Sequence, residues 1–355
     1  MHIRKIYNIN VKKVIHLIPF DGIGGVESAA HTMEGIEDSH LNFKVFYIFK
    51  KHSNKRNYFI SLSLIRIFKS VFELHNIKPD LVIVSLWRSC VVAILFKLLN
   101  PKTKIILFLH YPNDYHLADK IFTKLMSLMS YSLWADSKDT LNSRISSFPG
   151  DTSDVISFVA RRLQPIAQNT VKPNFIFWGR LHEQKCIERA INIFAIIQSK
   201  YPEATYTIIG PDGGELAKLK NQVSEMGIQE SVIFTGPQNI NSIIEFSSNS
   251  SFYLQTSKLE GMAMSVVEAM QLGLLPVITP VGEIKNYCKD SVNSLYIIDN
   301  ERVSQSIFNL LRDTNLYNVM KDRAIAHWQN HETYSESVIR ASKKILNINK
   351  NEGIV

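Results

Sequence analysis

The segment LEGMAMSVVEAM (259–270) sets Glu260 and Glu268 eight positions apart across otherwise apolar or small residues. Read as a helix entered from a loop, a rise of 1.5 Å per residue separates the two carboxylates by roughly 12 Å. That is too far for them to share one proton or one metal ion, and it suits gripping two ends of one long ligand. The preceding SSFYLQTS reads as a strand, KLEG as its exit loop, and MAMSVVEAMQL as a helix closed by Gly273. Glu260 then stands at the helix mouth beside free backbone N–H groups, where Gly261 permits close approach. Met262, Met264 and Met270 read as packing residues of that helix.

Four further clusters sit at predicted strand ends. In FIFWGRLHEQKCIERAI (175–191) a strand stops at Gly179, and Arg180 and Lys185 follow on the loop into a helix. Two cations beside a helix N-terminus suit a diphosphate clamp, and equally a pair of solvated surface charges. In FDGIGGVES (20–28), Gly24 and Gly25 allow a ligand phosphate near a helix start, or simply form a glycine turn; the spacing is not the GxGxxG of a dinucleotide site. His110 ends KIILFLH and opens HYPNDYH, a loop dense in polar and aromatic groups that include Tyr111 and Asn113. The same histidine also reads as a hydrogen-bonded structural residue. Trp87 and Arg88 in SLWRSC follow another strand end, as ligand contacts, which the resemblance given below would make contacts to an acceptor shared with Tyr111 and Asn113, or as a packed Trp beside a surface Arg.

The elements that must hold these residues alternate. KVIHLIPF, KVFYIFK, DLVIVSL and KIILFLH in the first half, and NFIFWG, TYTIIG, SVIFTG, SSFYLQT and LLPVITP in the second, read as short buried strands separated by helical or loop segments. The alternation predicts two parallel-sheet α/β domains. The Pro-, Gly- and polar-rich stretch near 150–173 marks their boundary, giving domains 1–165 and 166–330. In open α/β sheets ligands bind beyond the carboxyl ends of the strands, so the expected site is the cleft between the two domains.

In this context the chain resembles a retaining glycosyltransferase of the family 4 type, with the GT-B fold of two facing Rossmann-like domains. The resemblance rests on the E-x7-E pair Glu260/Glu268, the run Gly179, Arg180 and Lys185, the glycine loop Gly24–Gly25, and LPVITPVGEI. It implies that Glu260 takes the sugar hydroxyls of a nucleotide-sugar donor, UDP-linked by preference, and that Glu268 takes the ribose. It further implies that Gly261, Met262, Ala263 and Met264 line the donor site, that Arg180 and Lys185 neutralise the diphosphate, and that His110 is a cleft histidine. Glu260, His110, Arg180 and Lys185 are thus the expected catalytic group, with no cofactor and no metal. Residues 331–355, with the helix ESVIRASKKIL, are expected to cross back to the first domain. Two departures stand out: the usual glycine after the clamp lysine is Cys186, and the common EGFG is EGMAM.

Bulk composition agrees with a folded protein of two domains: 355 residues, 45% hydrophobic and 20% charged. Cys90, Cys186 and Cys288 lie far apart in no CxxC spacing, which argues against a disulfide framework and for a reducing cytoplasm. The N-terminus lacks a signal-peptide pattern, and no apolar run reaches the 18 or so residues of a membrane span. The net charge of +8 is uneven: residues 1–165 carry 22 Lys/Arg against 13 Asp/Glu, while the remainder is close to neutral. That excess suits an anionic partner, and no nucleic-acid fingerprint is present. KKHSNKRNYFISLSLIRIFKSVFELH (50–75) sets basic residues around the apolar series Ile60, Leu64, Ile67, Phe68, Val71 and Leu74. A second series comprises Ile121, Leu125, Leu128 and Met129. Both apolar faces are expected to cover the sheet, leaving the basic residues outward. The expected setting is the inner face of the plasma membrane, where a peripheral enzyme meets a lipid-linked acceptor during polysaccharide assembly. A non-catalytic sugar-nucleotide-binding subunit and a sugar-nucleotide epimerase are the competing expectations.

Overall fold

The computed structural model describes residues 11–22, 25–49, 60–111, 113–114, 116–167 and 170–348. Gly24 and the basic stretch 50–59 lie outside these. The chain divides into two compact units, Met1–Arg161 with Glu332–Val355, and Arg162–His331.

The first unit is built on β1 (Lys12–Phe20), β2 (Leu41–Phe49), β3 (Leu81–Ser85), β4 (Lys104–Leu109), β5 (Ser132–Ala135) and β6 (Ser153–Val155). They form one sheet in the order β2-β1-β3-β4-β5-β6, and every pairing is parallel. Its helices are α1 (Gly25–His31), α2 (Ile60–Ile77), α3 (Trp87–Leu99), α4 (Leu117–Met129) and α5 (Lys138–Arg144). The central strands are apolar runs such as Leu81–Ser85, buried along their whole length, as a parallel sheet covered on both faces requires. The second unit repeats the plan with β7 (Phe175–Trp178), α6 (Ile187–Lys200), β8 (Tyr206–Ile209), α7 (Leu216–Glu225), β9 (Val232–Gly236), α8 (Ile240–Ser247), β10 (Phe252–Gln255), α9 (Met264–Leu272), β11 (Leu275–Ile278), α10 (Ile284–Tyr287), β12 (Leu295–Tyr296), α11 (Asn300–Arg312) and α12 (Thr314–Trp328). Its sheet runs β12-β11-β10-β7-β8-β9, again parallel throughout.

The last helix, α13 (Tyr334–Leu346), belongs to the first unit. A capping box between Thr333 and Glu336 starts it, so two of its orphan N-terminal donors are satisfied reciprocally. It is then tied to that unit by Tyr334 N to Val159 O at 2.7 Å, Arg340 to Asp154 at 3.2 Å and Lys343 to Asp38 at 2.7 Å.

Helices α2 and α4 correct the expectation that their apolar series cover the sheet. Val71, Leu74 and Met126 are buried in the core with Phe96, Leu107 and Leu133, and Ile67, Phe122 and Met129 pack against them. Leu64, Ile65, Phe68 and Phe72 on α2, and Leu117, Ile121, Leu125 and Leu128 on α4, are exposed instead, Phe68 to 63% and Leu117 to 72%. Each helix carries two apolar stripes at i, i+4 spacing, and a helix can press only one of them onto a sheet. The sequence series mixed members of both.

Candidate functional site

In the second unit, the carboxyl ends of β7, β8 and β10 and the loop before α9 bring the predicted donor residues together. Gly179 follows strand β7 directly, and Gly210 follows β8 at φ 150°. A Cβ on Gly210 would stand 1.8 Å from the Gly179 carbonyl oxygen, so this close approach of two strand ends requires glycine. The chain then passes through Arg180 into a short turn, Glu183–Lys185, and enters α6 through Cys186. Cys186 has φ 52° and ψ 40°, the left-handed conformation that favours glycine, at the position where the family resemblance leads one to expect glycine.

Lys185 Nζ lies 2.6 Å from Glu260 Oε1, and Gln255 Nε2 donates to the same oxygen at 3.0 Å. Gln255 is held by Tyr253, whose hydroxyl donates to its Oε1 at 2.8 Å. None of the described residues donates to Oε2 of Glu260. The carboxylate therefore has one oxygen saturated by protein and one left for a ligand. Glu268 on α9 accepts a hydrogen bond from Trp178 Nε1 at 3.0 Å, which ties the second glutamate to the end of β7. Arg180 is exposed, and the described residues provide its guanidinium with no ion pair.

The loop holding Glu260 is rigidly backed. Gly282 lies so close that a Cβ there would be 2.0 Å from the Glu260 carbonyl oxygen. Glu283 N donates to Gly261 O at 3.2 Å, and Tyr287 donates to Met262 O at 2.7 Å. On its other side, Gln184 Nε2 donates to Leu259 O at 2.7 Å, and Lys258 N to Gln184 O at 2.9 Å. The helix mouth differs from expectation. Residues 260–262 are loop, Ala263 is left-handed at φ 53°, and α9 begins only at Met264. The helical rise therefore applies to only the last four of the eight steps from Glu260 to Glu268. Met262 and Met264 are half-buried and Met270 is fully buried.

The predicted acceptor residues meet in the first unit, around a cavity of about 410 Å³. Trp87, Arg88, His110, Tyr111 and Asn113 all line it, together with Phe20, His116, Asp119, Thr123 and Arg144. The Arg88 guanidinium lies over both the Phe20 and Trp87 rings, 5.2 and 4.9 Å from their centroids. Such cation–π contacts hold the cation in place without neutralising it. Leu86, just before Trp87, has φ 70°, a backbone strain that sets the entry to α3. Arg144 pairs with Asp114 at 2.8 Å. His110 is buried, its Nε2 is 2.9 Å from Ser85 Oγ, and burial lowers its pKa to about 3, with a smaller contribution from His16. Gly25 opens α1 and is not among the lining residues.

Sequence reasoning missed Trp178, Gln255 and Tyr253 around the glutamates, and Phe20, Ser85 and His16 in the first unit. Trp178 and Gln255 were visible as polar-tipped residues closing FIFWG and SSFYLQT. Ser85 and His16 sit inside apolar strands, and nothing in the pattern links residues 69 positions apart.

Residues 161–327 match the family model of glycosyl transferases group 1. The chain is 25% identical over 374 residues to the amylovoran biosynthesis glycosyltransferase AmsD of Erwinia amylovora, with 93% of this chain and 99% of that protein covered. It is 29% identical over 243 residues to an uncharacterized glycosyltransferase of Methanocaldococcus jannaschii, covering 60% of this chain and spanning 58% of the relative's length. Among solved structures, Anabaena HepE in complex with UDP-glucose superposes with a TM-score of 0.73 at 16% identity, over 95% of this chain and 100% of that one. The apo form of the lipopolysaccharide outer core galactosyltransferase WaaB gives a TM-score of 0.64 at 19% identity, over 94% and 100%. At such identities the likeness carries the fold: two Rossmann-like parallel-sheet domains of the GT-B type.

Proposed function

Taking residues 161–327 as a domain of glycosyl transferases group 1, we propose that the chain is a retaining glycosyltransferase that moves a hexose from a UDP-sugar to a lipid-linked acceptor in cell-surface polysaccharide assembly. The observation that carries this reading is Glu260, with Oε1 saturated by Lys185 and Gln255 and Oε2 open. A carboxylate held this way is a directional acceptor for sugar hydroxyls. Glu268, fixed by Trp178, takes the ribose hydroxyls, and Arg180 with Lys185 takes the diphosphate. The bond from the anomeric carbon to the diphosphate oxygen breaks as the acceptor oxygen bonds on the same face. The acceptor's proton passes to the departing diphosphate. Lys185, held by Glu260, and Arg180 stabilise the charge that develops on that leaving group, so no metal ion is needed for it. HepE is described with UDP-glucose and AmsD with amylovoran synthesis, and both support the choice of donor and pathway class.

Titration calorimetry with UDP, GDP, ADP and CMP tests the donor site. UDP binding weakened at least tenfold by both Glu268→Ala and Arg180→Ala is the expected result. A folded protein that binds none of the four would overturn the reading.

The membrane part of the proposal rests on α2, α3 and α4. Besides the outer stripes of α2 and α4, Leu98 and Leu99 at the end of α3 are exposed, and Lys69, Lys120 and Lys124 lie among them. Exposed apolar residues on helices that pack side by side, α3 against both α2 and α4, with lysines among them, suit the surface of an anionic bilayer, where each basic residue contributes about 1 kcal/mol. No helix among the described residues is long and apolar enough to cross a membrane. Sedimentation with phosphatidylglycerol vesicles should retain the protein and lose it on Phe68→Ser with Leu125→Ser. Equal retention of that variant would sink this assignment.

A further inference from the structure

Behind the first unit's cavity, four side chains form one buried line of polar contacts. Tyr334 on α13 places its hydroxyl 3.4 Å from His16 Nδ1; His16 Nε2 lies 2.9 Å from Ser85 Oγ; and His110 Nε2 lies 2.9 Å from the same oxygen. His110 Nδ1, the remaining ring nitrogen, has no hydrogen-bond partner among the described residues, and His110 lines the cavity. All four residues are at most 5% exposed. Phe108 stacks on both His16 and Tyr334, and Phe158 packs edge-on against His110 and Tyr334. Burial lowers the pKa of both histidines to about 3, so each carries one ring proton near neutrality.

Proton counting then sets a direction. Ser85 has one hydroxyl proton and two ring nitrogens at 2.9 Å, so it donates to one and accepts from the other. If it donated to His16, that ring would carry its proton on Nδ1 and give it to Tyr334. The Tyr334 hydroxyl proton would then be buried with no acceptor among the described residues, an arrangement that costs the desolvation of a donor. In the opposite sense all groups but the last are satisfied: Tyr334 O–H donates to His16 Nδ1, His16 Nε2–H to Ser85 Oγ, and Ser85 Oγ–H to His110 Nε2. One group then stays unpaired among the described residues, His110 Nδ1–H, where the first sense leaves both the Tyr334 hydroxyl proton and the His110 Nδ1 lone pair unpaired. His110 is left with its proton on Nδ1.

We propose that Tyr334, His16 and Ser85 are positioning residues that fix the tautomer of His110, so that its Nδ1–H is offered as a hydrogen-bond donor to an acceptor oxygen of the molecule occupying the cavity. The ligand side of this statement rests on the reading above that the cavity takes a substrate; the tautomer side does not. A histidine fixed as a donor discriminates by chemistry: it favours a hydroxyl, ether or phosphate oxygen and cannot act as a base through Nδ1. The C-terminal helix thereby sets the chemistry of a residue more than 220 positions away in the chain.

Long-range ¹H–¹⁵N correlation of the imidazole rings in the ligand-free protein at pH 7 reads the tautomer directly. The expected spectrum has a protonated Nδ1 and an unprotonated Nε2 on His110, with the reverse on His16. Finding His110 protonated on Nε2 overturns the proposal. Ser85→Ala should release His110 into a mixed population, while Ser85→Thr, which keeps the hydroxyl, should restore the original pattern. Tyr334→Phe should mix the tautomers of both rings; an unchanged spectrum in a folded Tyr334→Phe protein removes Tyr334 from the relay. In a transfer assay, Tyr334→Phe should lower kcat while leaving UDP affinity as it was. If the protein transfers no sugar, the spectra still decide the relay; if the spectra fail, UDP binding in the second unit is untouched.

Discussion

Glu260 and His110 are almost equally buried, at 7% and 5% exposure, yet they are held by opposite means. Glu260 faces a cation at 2.6 Å and a neutral amide on one oxygen. Among the described residues, His110 has a serine hydroxyl as its hydrogen-bond partner and aromatic rings packed against it. The first arrangement uses opposite charge to keep a polar group in a low-dielectric place; the second uses neutrality and a directed chain of protons. Breaking the first strands a charge, whereas breaking the second loosens a tautomer. The sizes of the expected effects follow from that difference.

The largest effect should come from Lys185→Met. Removing one partner of a buried pair leaves the other uncompensated, at a cost of about 3–5 kcal/mol when burial is complete and less here, because the Lys185 side chain is 19% exposed. Transfer should also fall by a factor on the order of 10²–10³, the loss seen when one stabilising donor is removed from a developing charge. Arg180→Ala is the control within the same clamp, being exposed and unpaired among the described residues. It should leave stability within about 0.5 kcal/mol while reducing turnover. Denaturant unfolding and steady-state kinetics on both variants separate the two roles. Adding Glu260→Gln to Lys185→Met should recover part of the lost stability, since the stranded charge is then gone.

The pH dependence of stability tests the other arrangement. Both histidines have their pKa lowered from 6.5 to about 3, chiefly by burial. Between those values the unfolded chain binds protons that the folded protein does not. Their stabilising contribution is therefore complete above pH 6.5 and is lost as pH falls toward 3, at up to about 1.4 kcal/mol per pH unit for each histidine. Urea unfolding of wild type and His16→Gln from pH 7 to pH 4.5 should show the shallower slope in the variant. Parallel curves would mean that His16 titrates normally in the folded state.

The contrast between the two regions also explains what the sequence made legible. The strands were readable because apolar runs such as LVIVS and KIILFL are too short for a buried helix and are bounded by turn or polar residues. β6 and β12, of three and two residues, are too short to carry a period, and β6 lies within the stretch read as a boundary. Charged site residues stood out because Glu260, Arg180 and Lys185 interrupt apolar or glycine-rich text. The relay residues did not, since His16 and Ser85 occupy ordinary strand positions and acquire their meaning only when β1, β3, β4 and α13 are assembled. The double stripes of α2 and α4 were misread for a related reason. Periodicity says which residues share a face, and only the packed structure says which face meets the sheet.

The smallest effect, and the one with its sign set by competing terms, belongs to Cys186→Gly. At φ 52° a residue with a Cβ is strained by about 1–2 kcal/mol, and glycine removes that strain. Against this, glycine adds about 0.4–1 kcal/mol of unfolded-state entropy. The substitution also loses the contact between Cys186 Sγ and Glu188 Oε1 at 3.4 Å, which is long and half-exposed. The backbone bonds that use this position, such as Thr256 Oγ1 to the Cys186 carbonyl oxygen at 2.7 Å, do not depend on the side chain. The balance is a stabilisation of about 0.5 kcal/mol, or one to two degrees in Tm for a domain of this size. Because Lys185 immediately precedes this residue, the substitution should leave nucleotide affinity within about twofold, provided that the Lys185–Glu260 contact is set by the loop and not by the thiol. A lowered Tm in calorimetry would show that the left-handed turn is held by Cys186 itself, and a weakened nucleotide titration would show that its side chain helps to aim the lysine.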